Sequence, residues 1–141
     1  MANVETEPAG VERKQTRVLI ADDDADVCAL LRVVLRPVAD VTAVHDAEAA
    51  LELLANDGNY DAIISDFMLP GIDGLEFVRR VRSTELNRRV PILMISGHGT
   101  AGVGEQARAE GVDAFLDKPF TLSQLRTILG ALLGPAVQMA I

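Results

Sequence analysis

Apolar and polar positions along this chain sort into two alternating kinds of segment. Residues 17–21, 61–66 and 91–95 are short stretches with an apolar centre rich in branched side chains and bounded by polar or Pro-Gly signals, the pattern of strands buried on both faces. Residues 38–44 alternate as a second strand would, and residues 112–116 supply a fifth. Between these runs the apolar positions recur at helical spacing. Val27, Leu30, Leu31 and Val34 predict a first helix from Ala25 to Pro37, capped by Asp24 or Asp26. Ala47, Ala50, Leu51 and Leu54 predict a second, capped by Asp46 and closed at Asn56-Asp57-Gly58. Leu75, Val78 and Val81 mark a third helix begun near Asp73, and Leu122, Leu125, Leu129 and Leu132 form the inner face of a last one ending at Gly134-Pro135. Residues 100–110 predict a fourth helix that is weak and mobile, because Gly102 and Gly104 each cost about 1 kcal/mol relative to Ala in a helix interior.

Strands alternating with helices imply right-handed βαβ crossovers, hence a parallel sheet covered by helices on both faces. Five such units predict one doubly wound α/β domain over residues 17–134, and a length of 141 residues suits a single domain. Residues 1–16, with Pro8, Gly10 and mixed charges but no periodicity, are expected to be a flexible leader, and residues 135–141 an apolar tail. In such sheets ligands sit outside the carboxyl ends of the strands. The polar groups of this chain stand at those ends: Asp22 and Asp23 after the first strand, Asp66 after the third, Ser96 after the fourth and Lys118 after the fifth.

Charge and composition narrow the function classes. A net charge of −8 argues against direct nucleic-acid binding, which draws on clustered Lys and Arg. Cys28 is the one cysteine, so no intrachain disulfide can form and a reducing compartment is expected. No apolar run approaches the ~20 residues of a membrane span, and the first residues lack the basic-then-apolar order of a signal peptide. The expected location is the cytoplasm, with no membrane partner.

Three carboxylates gathered at one sheet edge repel one another, and a hard divalent cation with oxygen ligands relieves that repulsion. Mg²⁺ is the natural candidate, with Asp23 and Asp66 as direct ligands and Asp22 acting directly or through water. Lys118 can pair with a carboxylate or a phosphoryl oxygen, and the Ser96 hydroxyl adds a donor. A carboxylate so surrounded is equipped to become an acyl phosphate, and Asp66, the acid standing outside the Asp22-Asp23 pair, is the expected nucleophile.

Taken in order, these residues resemble the receiver domain of two-component response regulators. The match runs through Asp22-Asp23, Asp66 with Leu69-Pro70-Gly71 and Asp73-Gly74, Pro91-Ile92 leading to Ser96-Gly97, and Gly111-Val112-Asp113-Ala114-Phe115-Leu116-Asp117-Lys118-Pro119-Phe120. The resemblance implies a flavodoxin-like (βα)5 sandwich with parallel sheet order 2-1-3-4-5. It also implies Mg²⁺ at Asp22, Asp23, Asp66 and the Met68 carbonyl, phosphorylation of Asp66 from a phosphohistidine, and a cis Lys118-Pro119 bond. A switch is implied too: Ser96 turns toward the phosphoryl group and the Phe115 ring fills the space beneath it. Phe115 stands where a Tyr is common, so coupling would rest on packing without a reporting hydroxyl. Met68 and His98 flank the path of an attacking water by position. Met68 offers no polar group to orient that water and is expected to lengthen the phosphoryl lifetime, while His98 reads as a solvated loop residue. Neither His98 nor His45 has metal-ligand spacing.

The resemblance further implies a histidine kinase or histidine phosphotransfer protein as donor. A downstream protein is expected on the face of helix four, strand five and helix five, which is also the candidate surface for a homodimer. The chain is expected to be a signalling phosphoacceptor rather than an enzyme, either stand-alone or excised from a longer protein. A degenerate receiver that binds partners unphosphorylated is the alternative. A haloacid-dehalogenase phosphatase would share Asp22-x-Asp24 after a strand but needs an acidic pair after the lysine, and no acidic residue follows Lys118. A flavin-binding flavodoxin needs a Ser/Thr/Gly-rich phosphate loop where this chain has Asp22-Asp23-Asp24.

Overall fold

Strand and helix alternate through the residues that the structure, a computed structural model, describes: 16–97, 102–134, 137 and 141. The order is β1 (Thr16–Ala21), α1 (Ala25–Leu35), β2 (Ala39–Val44), α2 (Ala47–Asn56), β3 (Ala62–Asp66), α3 (Gly74–Ser83), β4 (Ile92–Ser96), α4 (Val103–Ala109), β5 (Ala114–Asp117) and α5 (Leu122–Leu133). The strands form one parallel sheet in the order β2-β1-β3-β4-β5, the doubly wound arrangement expected from the sequence.

Successive residues of a buried strand face opposite sides of the sheet, so continuous apolar runs feed two cores. Leu19, Ile63, Ile92 and Met94 pack under α2 and α3 with Ala50, Leu54, Phe77 and Val78. Val18, Ile20, Ile64, Leu93 and Ile95 pack under α1 and α5 with Leu31, Leu35, Leu125 and Leu129. Asp24, Asp46 and Asp73, named from the sequence, accept the first free amides of α1, α2 and α3, and the structure adds a capping box of Thr121 with Gln124 on α5.

The differences from the sequence reading are local. Thr16 already pairs with Ala39, so β1 starts one residue inside the expected leader. Leu122, expected on the inner face of α5, is 42% exposed; as the first residue of the helix it lines a small surface groove with Leu30, Val33 and Val34 of α1. Phe77, absent from the predicted inner face of α3, is its largest fully buried side chain. α4 is only seven residues long, and Gly102, expected in its interior, is instead its N-cap, left-handed and without a side-chain cap. Among the described residues, no helix is long and apolar enough to cross a membrane.

Candidate functional site

The parallel register brings the strand exits level, pairing Ala21 with Ser65, Asp66 with Ile95 and Ser96 with Asp117. Charged residues are held to these exits because the buried middle of the sheet is apolar apart from Ser65, whose hydroxyl donates to the Asp66 carbonyl at 3.0 Å. Asp22, one residue past β1, is 1% exposed: its amide donates to the Val44 carbonyl at 3.0 Å and its Oδ1 accepts the Asp24 amide at 2.8 Å. Its Oδ2 is buried with no hydrogen-bond partner. Burial pushes the Asp22 carboxyl up to about 6; the charge of Asp66 adds to the rise, while the Asp24 amide and Lys118 oppose it.

Asp66, the last residue of β3, is 6% exposed. Its Oδ1 accepts the Met68 amide at 3.3 Å, and its Oδ2 lies 3.9 Å from Lys118 Nζ. Asp22, Asp23 and Asp66 each place an oxygen within 4.8 Å of the others, Asp23 being exposed. All three groups offer oxygen donors, the ligand type that Mg²⁺ takes. The orphaned Asp22 Oδ2 in this all-oxygen donor set fits a hard cation better than any neutral arrangement.

Ser96 ends β4, fully buried, with its hydroxyl donating to the Gly97 carbonyl at 3.3 Å and its own carbonyl accepting the Lys118 amide at 2.7 Å. That bond ties the exit of β4 to that of β5, and the Lys118-Pro119 peptide that follows is cis. Phe115 sits opposite Met94 in the sheet, half-buried beside α4. The Met68 side chain is 62% exposed. His98, named from the sequence, lies outside the described residues. His45, read from the sequence only as no metal ligand, places Nδ1 3.2 Å from the Asp22 carbonyl. No sequence spacing announces that contact, because it depends on β2 pairing with β1 so that Val44 stands beside Ala21.

The chain matches the family model for the response regulator receiver domain over residues 18–130. The transcriptional regulatory protein ResD of Bacillus subtilis is 33% identical over 129 residues, covering 90% of this chain and 52% of ResD. The chain thus spans about half the length of the curated relatives it matches. A crystal structure of a Chloroflexus aurantiacus protein described as a response regulator superposes with a TM-score of 0.78 at 34% identity, covering 85% of this chain and 98% of that one. The receiver domain of the sensor histidine kinase PA1611 from Pseudomonas aeruginosa superposes at 0.74 with 30% identity over 85% and 98%, and holds a magnesium ion in its active site cleft.

Proposed function

Because the chain belongs to the response regulator receiver domain family, and so is a receiver domain of two-component signalling, we propose that it is a phosphoacceptor whose acceptor is Asp66. The donor is a phosphohistidine on a histidine kinase or histidine phosphotransfer protein. One observation carries this reading: a buried, unpartnered carboxylate oxygen on Asp22 in an acid cluster with Asp66, whose other side faces the Lys118 ammonium at 3.9 Å. A buried anionic oxygen without a partner calls for a cation. Asp22, Asp23, Asp66 and the Met68 carbonyl are the proposed Mg²⁺ ligands, and bound Mg²⁺ would supply charge neutralisation to the phosphoryl oxygens.

An Asp66 carboxylate oxygen attacks phosphorus, forming a P–O bond as the P–N bond to the donor imidazole breaks; the imidazole nitrogen keeps the electron pair and takes up a proton. Lys118 meets the charge of the transferred group, and the Ser96 hydroxyl donates to it after leaving the Gly97 carbonyl. Phe115 then moves into the space beneath Ser96, and Met68, offering no polar group to an attacking water, prolongs the acyl phosphate. The signal leaves through the α4-β5-α5 face, where Phe115, Asp117, Pro119, Gln124 and Thr127 line a groove of about 480 Å³. A downstream protein or a second copy is the proposed occupant. The receiver unit is proposed to span residues 17–134, after a leader and before a tail, and to act in the cytoplasm as a signalling acceptor with only self-catalysed transfer and dephosphorylation.

Intact-mass measurement after incubation with acetyl phosphate and Mg²⁺ tests the proposal. One added phosphoryl group in the wild type, absent from Asp66→Asn, supports it. No adduct in the wild type would turn the reading toward an unphosphorylated interaction module.

A further inference from the structure

Asp22 is held from behind as well as aimed forward. Its backbone carbonyl contacts two side chains from different elements: His45 Nδ1, just past β2, at 3.2 Å, and Cys28 Sγ, on α1, at 3.4 Å. A carbonyl oxygen has two lone pairs, and both are used here. The Asp22 amide donates to Val44 and Oδ1 accepts from Asp24, so Oδ2 is the one polar atom of the residue left to a ligand. A carbonyl can only accept, so the imidazole must carry a proton on Nδ1. That nitrogen is therefore committed to the Asp22 peptide and cannot serve as a metal ligand.

We propose that His45 is a positioning residue of the metal site, which with Cys28 locks the Asp22 peptide so that Oδ2 is presented to the cation. The proposal rests on the Mg²⁺ reading above. Hydrogen bonds made behind metal ligands fix their orientation, and losing them commonly costs about 10- to 100-fold in affinity. A bond to the ligand's peptide rather than to its carboxylate acts one step further back, so a smaller effect is expected. His45 itself is exposed, which makes it replaceable without opening the core.

The test has two arms. Long-range ¹H–¹⁵N spectra of the metal-free protein at about pH 9, where free imidazole is neutral, report the tautomer. A proton on Nδ1 of His45 is expected, and a proton on Nε2 overturns the inference. Mg²⁺ titrations of wild type, His45→Ala and His45→Asn follow, since the Asn amide can donate from nearly the position of Nδ1. His45→Ala should bind Mg²⁺ about 3- to 10-fold more weakly and His45→Asn should return to within about twofold of wild type, with the three metal-free melting temperatures coinciding. Equal affinity in wild type and His45→Ala overturns the inference alone, as does a loss that Asn does not restore. A wild type that takes no Mg²⁺ overturns the site reading and this inference with it.

Discussion

The ring of Phe115 on β5 lies against Gly104 on α4: a Cβ on that glycine would stand 3.8 Å from the ring's Cδ2, in ordinary van der Waals contact. β5 therefore touches α4 in its first, uncapped turn. The C-terminal end of α4 is tied to α3 by the Arg79–Glu110 ion pair at 3.1 Å, whereas its first turn follows Gly102 with no side-chain cap.

Gly104→Ala should accordingly raise stability by up to about 1 kcal/mol, since the methyl fits and the unfolded chain loses freedom. Thermal unfolding reads this as a higher melting temperature. A lower one would mean that the ring leaves no room for a methyl, and that α4 and β5 are packed more tightly than the contact distance indicates.

Asp22→Asn should have opposite effects with and without metal. In EDTA the substitution removes a buried charge beside Asp66 while keeping an Oδ1 acceptor for the Asp24 amide, so stability should rise by about 1 to 3 kcal/mol. An increase in melting temperature with Mg²⁺ is expected of the wild type and should be lost in the variant. A variant less stable than wild type in EDTA would show that the Asp22 charge is already compensated in the metal-free protein.

What could be read from the sequence and what could not divide along physical lines. A strand buried on both faces is largely apolar, so its exit announces itself where the apolar run gives way: Asp22, Asp66, Ser96 and Lys118 all stand at such exits, and the structure brings Asp22, Asp66 and Lys118 together at the sheet edge. Asp22 and Asp23 share one sequence context, yet the first is buried with an orphaned oxygen and the second is exposed. Only the turn into α1 separates them. Leu122 fails for a related reason, because a helical repeat fixes the angle of a side chain around the axis but not how deeply the end of the helix is buried. The contact of His45 depends on the register of β2 against β1, which no local pattern encodes.

Arg17 and Asp57 carry a pH signature. The Arg17 guanidinium makes paired bonds of 3.2 and 2.8 Å to Asp57 and lies 4.4 Å from the centre of the Tyr60 ring, joining β1 to the end of α2. Its hydrogen bond holds the Asp57 carboxyl below its ordinary 3.8. A depressed folded-state value means stability that is present above 3.8 and lost as the pH falls through the folded value. Asp57→Asn should therefore have a lower denaturant midpoint than wild type at neutral pH, with the gap closing as the pH falls below 3.8. A gap constant with pH would assign the effect to something other than charge.

Arg82 should be the least replaceable cation of the described surface. From near the end of α3 its Nε and Nη2 donate to the Gly111 carbonyl at 3.1 and 2.7 Å, its Nη1 to the carbonyls of Val90 and Asn87 at 2.6 and 3.2 Å, and Nη2 also to Asp113 Oδ2 at 3.0 Å. Asp113 in turn accepts the Ile92 amide at 2.8 Å, so one side chain fixes both the entry of β4 and the approach to β5. A planar fork reaches these separated acceptors at once, and a lysine ammonium, with three donors on one atom, cannot. Arg82→Lys should cost about 1.5 to 3 kcal/mol and Arg82→Ala more, because partly buried carbonyls are left unpaired. Hydrogen exchange localises the loss: amides of Val112 and Ile92 should exchange faster in both variants, while those of β1 keep pace with global stability. Wild-type exchange at Val112 in Arg82→Lys would mean that water serves these carbonyls as well as the guanidinium does.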